Sequence, residues 1–243
     1  MFIKHTSCPK CGSSDANALY EGGSSFCFSC RFPTRGRFSP YLDVNRDREI
    51  LAGEVIALPD DAGFNYSDNC LSWVFKYGVT IDELIKHKAC WSEEKQQLIF
   101  PFYDEEGQLL MWQARNFGAW TKLKYYTKGK PDSILPLYGR SSLLETSRLV
   151  VVEDCISAIK IARQASAMPV LGSSLSAAKL TRLSHLPGLS RAIVWLDGNM
   201  YNKAQDIARK LMMLGIAAKA VYTEEDPKVY SDTEIEVVLQ NSA

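Results

Sequence analysis

Two cysteine pairs near the N-terminus constrain this chain more than any other feature in it. Cys8 and Cys11 form one C-x2-C, Cys27 and Cys30 form a second, and fifteen residues lie between the pairs. The spacing fits a tetrahedral zinc site, because each pair sits on a tight knuckle that aims two thiolates at one ion. The segment from Ala18 to Phe28 reads as a β-hairpin whose turn uses Gly22 and Gly23, and closing it brings the pairs together. Four thiolates leave no open coordination position, so the metal is expected to be structural rather than catalytic. Four unrelated buried thiols are the bland alternative, but they do not account for two matched pairs. The remaining cysteines of the seven, Cys70, Cys90 and Cys155, are scattered and expected as small buried hydrophobes.

Around the quartet stand Tyr20, Phe26, Phe28 and Phe32, with Arg31, Arg35 and Arg37 close by in the chain. The rings can stack on unpaired bases while the arginines take phosphates. They can equally fill the small core around the metal, and the sequence leaves both readings open. A hydrophobic content of 46% with 23% charged residues describes an ordinary globular protein. The longest apolar runs, such as Leu149–Val152 and Ala192–Leu196, are far too short to span a bilayer. The N-terminus lacks a basic-then-apolar signal pattern, so a cytoplasmic location is expected, and there seven cysteines point to metal rather than disulfides. Net charge is zero, from 28 basic and 28 acidic residues, which argues weakly against a general nucleic-acid coat; distribution matters more than the sum.

Pattern divides the chain into a zinc-binding ribbon over residues 1–38, a polar linker over 39–48, a basic mixed α/β stretch over 49–145, and an alternating strand–helix region over 146–243. Ser67 caps a short expected helix that stops at Gly78, and Thr80–Glu83 is a capping-box pattern opening the next. Gln97–Tyr103 and Gln108–Asn116 read as a hairpin around Asp104–Gly107. Beyond Arg148 the expected strands are Leu149–Val152, Pro169–Leu171, Ala192–Leu196 and Ala217–Tyr222. Helices are expected near Ile156–Gln164, Ser176–His185 and Tyr201–Leu214, with a last one boxed by Ser231–Glu234. That alternation implies a parallel sheet with covering helices.

In such a sheet, the carboxyl ends of the strands line the ligand crevice. Glu153 and Asp197 stand at two strand ends, and Asp226 follows a third. Hard oxygen ligands of this kind suit magnesium or manganese, and two such ions can activate a 3′-hydroxyl and stabilise leaving pyrophosphate. The competing reading is that strand-end acids simply cap the helices that follow. Between residues 113 and 130, Arg115, Lys122, Lys124, Lys128 and Lys130 form the one clearly basic stretch, with Gln113, Trp120, Tyr125 and Tyr126 interleaved. It can hold nucleoside triphosphates and template backbone, or it can be a solvated hairpin face. Gly172–Lys179 lacks the spacing and hydroxyl of a phosphate-binding motor loop, so no ATP-driven motor is expected, although a helix N-terminus near Ser176 could meet phosphate.

The order of zinc ribbon, basic mixed region and acid-bearing alternating region resembles phage and bacterial replicative primases of the Toprim type. It is most like the primase half of podovirus primase-helicases and the stand-alone primases of related bacteriophages. The segments that carry the resemblance are Cys8–Asp15, Phe26–Cys30, Gln113–Arg115, Val151–Asp154, Leu171–Lys179, Leu196–Asn199 and Asp226–Lys228. It implies an N-terminal zinc ribbon followed by an RNA-polymerase domain, itself a mixed subdomain and a Toprim α/β subdomain with a parallel sheet. It also implies a nucleotidyltransferase that makes short RNA primers on single-stranded DNA, using NTPs and working beside a separately encoded helicase. Glu153, Asp197 and Asp226 then become catalytic metal-site acids, and Arg31, Arg35, Arg115, Lys122, Lys124, Lys128 and Lys130 become candidates for nucleotide and DNA. The chain departs from the family at Asn199, which stands for the second acid of Asp-x-Asp and offers magnesium a neutral, weaker amide oxygen, and at Ser157, which is acidic in several relatives. Both changes remove negative charge, so the resemblance also admits a catalytically reduced protein that docks on DNA or a helicase, or a Toprim nuclease using the same acids.

Overall fold

The computed structural model describes residues 2–20, 25–30, 32–34, 56–119, 123–139, 147–172 and 175–242. The chain divides into two units, Met1–Val55 and Ile56–Ala243. Arg31, Arg35, Arg37, Trp120, Lys122, the expected linker and the expected turn at Gly22 and Gly23 lie outside the described residues, as do the expected boundaries at residues 49 and 145.

In the first unit, β1 (Phe2–Thr6), β2 (Asn17–Tyr20), β3 (Ser25–Cys27) and β4 (Pro33–Thr34) form an antiparallel sheet in sequential order. β2 and β3 pair as the hairpin reading requires, with Asn17 opposite Cys27 and Ala18 opposite Phe26. Asn17 also ties β2 back to β1, its amide donating to Thr6 Oγ1 at 3.1 Å.

The second unit holds two sheets. Ser67 caps α1 (Asp68–Phe75) by accepting from the Cys70 N–H, and the turn that follows the helix closes at Gly78, whose φ of +67° a side chain would resist. Thr80 and Glu83 close the expected capping box of α2 (Ile81–Lys86). β5 (Cys90–Ser92), β6 (Gln97–Tyr103), β7 (Leu109–Asn116) and β8 (Tyr125–Gly129) then make an antiparallel meander in sequential order. Its two faces separate by alternation: Leu98, Phe100, Phe102 and Met111 enter one core, while Ile99, Trp112 and Ala114 pack on the other side.

The remaining elements alternate as the rhythm implies. They run β9 (Arg148–Val152), α3 (Cys155–Ile161), β10 (Ser166–Pro169), α4 (Ala177–Ser184), β11 (Arg191–Val194), α5 (Tyr201–Met213), β12 (Ala217–Ala220) and α6 (Asp232–Asn241). The four strands are parallel in the order β10-β9-β11-β12. β9 is apolar and buried from Leu149 to Val152 because both its faces are covered. Val150 and Val152 join α3 and α6 in one core, and Leu149 and Val151 join α4 and α5 in the other. The first of these cores also contains Leu98, Phe100 and Met111, so one apolar cluster joins the two sheets. Arg163 reinforces that join, binding both carboxylate oxygens of Glu83 at 2.6 and 2.8 Å, Asp232 at 2.7 Å and the Gly78 carbonyl at 2.7 Å.

One strand sits earlier than the sequence suggests. The apolar run at Pro169–Leu171 is the exit of β10, where Leu171 turns to a φ of +59°, rather than its body. The body is the small-residue stretch from Ser166. Tyr138 pairs with Ala167 through bonds of 2.8 and 2.9 Å, and a side chain at Gly139 would press on the Ser166 backbone. Cys70, Cys90 and Cys155 are all buried, as expected of small hydrophobes.

A four-cysteine centre and a carboxylate cavity

The zinc module is built by two knuckles. In the first, Gly12 adopts a φ of +72° and returns its N–H to the Cys8 carbonyl at 3.0 Å, which turns Cys11 back beside Cys8. In the second, the Cys27 N–H donates to the Phe32 carbonyl at 3.0 Å. The four Sγ atoms lie within 4.8 Å of one another, with Cys8 to Cys30 and Cys11 to Cys27 both at 3.7 Å. A zinc tetrahedron with Zn–S bonds of about 2.3 Å has edges of roughly 3.8 Å, so the cluster fits structural zinc. The Cys11 N–H draws the Cys8 thiol down to about 6 against the opposing effect of burial, while burial pushes Cys30 up to about 12. Four crowded thiols ionise stepwise without a cation, and a bound ion removes that conflict. Of the rings, Phe28 is 61% exposed and stands edge-on to the half-buried Phe26 at 5.2 Å. Phe32 lies under the Lys10 ammonium at 4.9 Å.

In the second unit, the carboxyl ends of the parallel strands and one face of the antiparallel sheet enclose a cavity of about 280 Å³. Glu153 follows β9 directly. Asp197 follows β11 after the Trp195 N–H has extended the ladder to the Val151 carbonyl at 2.8 Å. The next residue has to be glycine: a Cβ at Gly198 would stand 2.6 Å from the Thr223 carbonyl oxygen. Opposite the acids, Gln113, Tyr125 and Thr127 point inward from β7 and β8, with Lys124 at the entrance to β8.

Glu153 Oε2 and Asp197 Oδ1 are buried oxygens without a hydrogen-bond partner. Burial raises the Glu153 carboxyl above its usual range, with Asp154 adding to the effect. Burial likewise raises Asp197, to about 7, assisted by Glu153 and Asp226 and opposed by Lys228. Unsatisfied buried carboxylates are costly, and a hard cation is the partner that relieves two at once. The donor set therefore fits a magnesium-like ion held by two carboxylates and further oxygens.

The other expected residues are distributed differently from one another. Asp226 is paired with Lys228 at 2.7 Å and does not line the cavity. Asn199 is exposed on the short turn Gly198–Met200. Among the described residues, the cysteine quartet is the one set of three or more His, Cys, Asp or Glu side chains that converges at metal-holding spacing. The acid that caps α3 is Asp154, beside Glu153 in the chain; it accepts from the Ser157 N–H at 2.9 Å. Ser157 itself is fully buried.

The basic stretch is split between the two faces of the antiparallel sheet. Lys124 lines the acid cavity, while Lys128, with Tyr126 and Trp112, lines a second hollow on the reverse face of the sheet. Lys130 is exposed beyond the strand. The guanidinium of Arg115 is sandwiched by rings, 4.1 Å from Trp73, 5.4 Å from Phe117 and 5.7 Å from Tyr125.

Sequence reasoning missed Lys228, which is only 7% exposed and lines the cavity among the acids. It also left Tyr125 and Thr127 out of the site. A signal existed at Lys160, a lysine within the apolar run of α3. Its ammonium donates to the carbonyls of Lys228 at 3.0 Å and Tyr230 at 2.5 Å, which fixes the turn that carries Lys228.

No protein-family model matches the chain, and no curated protein sequence does either. Solved structures do. The primase fragment of the bacteriophage T7 primase-helicase is 14% identical with a TM-score of 0.53, and the match covers both chains in full. The zinc-binding and RNA polymerase domains of the Aquifex aeolicus primase are 14% identical with a TM-score of 0.61, over all of this chain and 81% of that one. The DnaG catalytic core is 15% identical with a TM-score of 0.55, over 72% of this chain and 73% of that one. The four-cysteine module, the antiparallel sheet and the parallel sheet thus share the fold of these primase structures.

Proposed function

We propose that the protein is a DNA primase, a nucleotidyltransferase that makes short RNA primers on single-stranded DNA during replication. The observation that carries this reading is the cavity: two partnerless buried carboxylate oxygens face Lys124, Gln113 and Thr127 across it. We assign the ribbon to residues 1–38, a linker to 39–48, the mixed subdomain to 49–145 and a Toprim subdomain to 146–243. Glu153 and Asp197 would hold magnesium or manganese, which supplies activation of a 3′-hydroxyl and stabilisation of leaving pyrophosphate. The Lys124 ammonium draws the triphosphate of an incoming NTP into the cavity. Gln113 and Thr127 offer donors that orient it, and Tyr125 gives a flat apolar wall. Arg115 acts by stiffening that wall through its ring sandwich. Asp226 acts indirectly, through Lys228. In the ribbon, exposed Phe28 offers a surface on which a template base can stack. A helicase is the expected partner, and a soluble cytoplasmic setting suits replication; no described helix is long and apolar enough to cross a membrane.

The test is primer synthesis with labelled NTPs on varied single-stranded templates. Magnesium- or manganese-dependent oligoribonucleotides are expected, and Glu153→Gln should lower their yield by on the order of 100-fold or more, as loss of a charge-stabilising catalytic group does. Shortening of a labelled DNA strand would point to a nuclease instead. Template binding without product, unchanged in Glu153→Gln, would point to a docking protein.

A further inference from the structure

We propose that Lys228 is a built-in cation that occupies part of the acid cluster, so that the cavity takes one divalent ion rather than two. The proposal deepens the polymerase reading of the cavity, and its consequence for substrate rests on that reading.

Four carboxylates meet in this region, and they fall into two pairs. Asp154 and Asp226 bind the Lys228 ammonium at 2.8 and 2.7 Å. Glu153 and Asp197 keep buried oxygens with no partner. One pair is thus already neutralised by the chain, and the other still requires a cation. Nothing about the lysine is incidental. It is more than nine-tenths buried, and a buried ammonium is stable only when it is paired and hydrogen-bonded.

The fold secures it from both ends. Pro227 opens the short turn Pro227–Val229 that presents Lys228, and the buried ammonium of Lys160 grips the carbonyls on either side of Val229. Lys160 belongs to α3, the helix that Asp154 caps. One short helix therefore positions both the lysine's backbone and one of its carboxylate partners. The Tyr77 ring, 5.7 Å from the ammonium, closes another side.

An ammonium has three donors. Two are taken by Asp154 and Asp226, and Lys228 also borders the cavity. The third donor is available to a phosphate oxygen, the ligand that a second divalent ion would otherwise meet. The departure at Asn199 is consistent with this: the carboxylate missing from Asp-x-Asp is one that a second ion would need, and Asn199 lies exposed. Lys228 is then a charge that positions triphosphate without having to be recruited from solution.

Manganese binding to the zinc-loaded full chain, without nucleotide or template and counted by electron paramagnetic resonance, tests the assignment. One ion per chain is expected, lost in Asp197→Asn. Asp226→Asn should change its affinity by no more than about threefold, because that carboxylate serves the lysine at a distance from the ion. Lys228→Met should raise the count to two, or tighten the single ion by on the order of tenfold or more, as a buried positive charge is lost and Asp154, which lines the cavity, is freed. Lys228→Arg, which keeps the charge, should retain one ion with affinity near that of the natural chain. Two ions on the natural chain, or none, would overturn the proposal. So would equal loss of manganese in Asp226→Asn and Asp197→Asn, a comparison that stands even if Lys228→Met does not fold. Primer synthesis is not used, so a failure to make primers bears on the proposed function alone. Primers made by a chain that holds two ions would sink only the present proposal.

Discussion

Replacing Asp197 by Asn should stabilise the metal-free protein at neutral and alkaline pH, although it removes a residue from the proposed site. Asp197 titrates near 7 in the folded chain against an ordinary value of 3.8, because burial and its acidic neighbours disfavour the charge. The folded state therefore binds this proton more tightly than the unfolded state does. Between those two values the folded chain carries more protons, so stability falls as pH rises and the loss is complete above about 7. At about 1.4 kcal/mol per tenfold change in proton affinity, the full displacement corresponds to on the order of 4 kcal/mol. Solvent reaches this half-buried carboxyl and screens it, which trims the expected effect to on the order of 2 kcal/mol. Asparagine keeps the shape and has no such slope.

Urea unfolding followed by tryptophan fluorescence is the appropriate measurement, since all five tryptophans lie between Trp73 and Trp195, within the second unit. With no added divalent ion, Asp197→Asn should exceed the natural chain in stability at pH 8, and the two should converge near pH 4. Added magnesium should raise the natural chain and leave the variant unmoved. A variant less stable at pH 8, or a difference independent of pH, would refute the argument that burial of an unpaired carboxylate sets the cost.

Arg163→Ala removes a guanidinium that binds Glu83, Asp232 and the Gly78 carbonyl together. The expected loss is about 1–3 kcal/mol, more than an isolated surface ion pair provides, because three partners share one partly buried donor; a shift in urea midpoint measures it. Removing zinc with a chelator, or by Cys11→Ser, should unfold the ribbon, since apparent binding energies of structural zinc are on the order of 10 kcal/mol. Metal analysis should fall from one zinc per chain, with loss of strand signal in circular dichroism.

How much of this was legible beforehand depended on the range of the interaction involved. Both capping boxes, the Ser67 cap and the strand–helix alternation are local, carried by residues within one turn of each other, and the structure reproduces them. The cysteine quartet was legible because metal-ligand spacing encodes geometry within a few residues. β10 was misplaced because an apolar run marks burial as well as strand. Small residues at Ser166 and Ala167 are chosen by the close approach of the Tyr138–Gly139 backbone, a contact about 28 residues distant in the chain, of the kind sequence periodicity does not carry.

The site shows the same limit in its charges. That Glu153 and Asp197 share one cavity was legible because strand ends of a parallel sheet share a location by topology alone. Their partners follow from packing, which decides whether each nearby charge joins them or cancels. Asp226 stands where a third ligand was expected, but two residues later the chain turns Lys228 into the cluster and claims it. Lys124 and Lys128 look equivalent in the sequence, yet Lys124 stands just ahead of β8 and lines the acid cavity, while Lys128 lies within the strand and faces the reverse hollow. A carboxylate count taken from sequence therefore overstates the negative charge available to a metal. On the proposed reading the count is two acids with unpartnered oxygens and one resident ammonium, which is what makes a single ion the expected load.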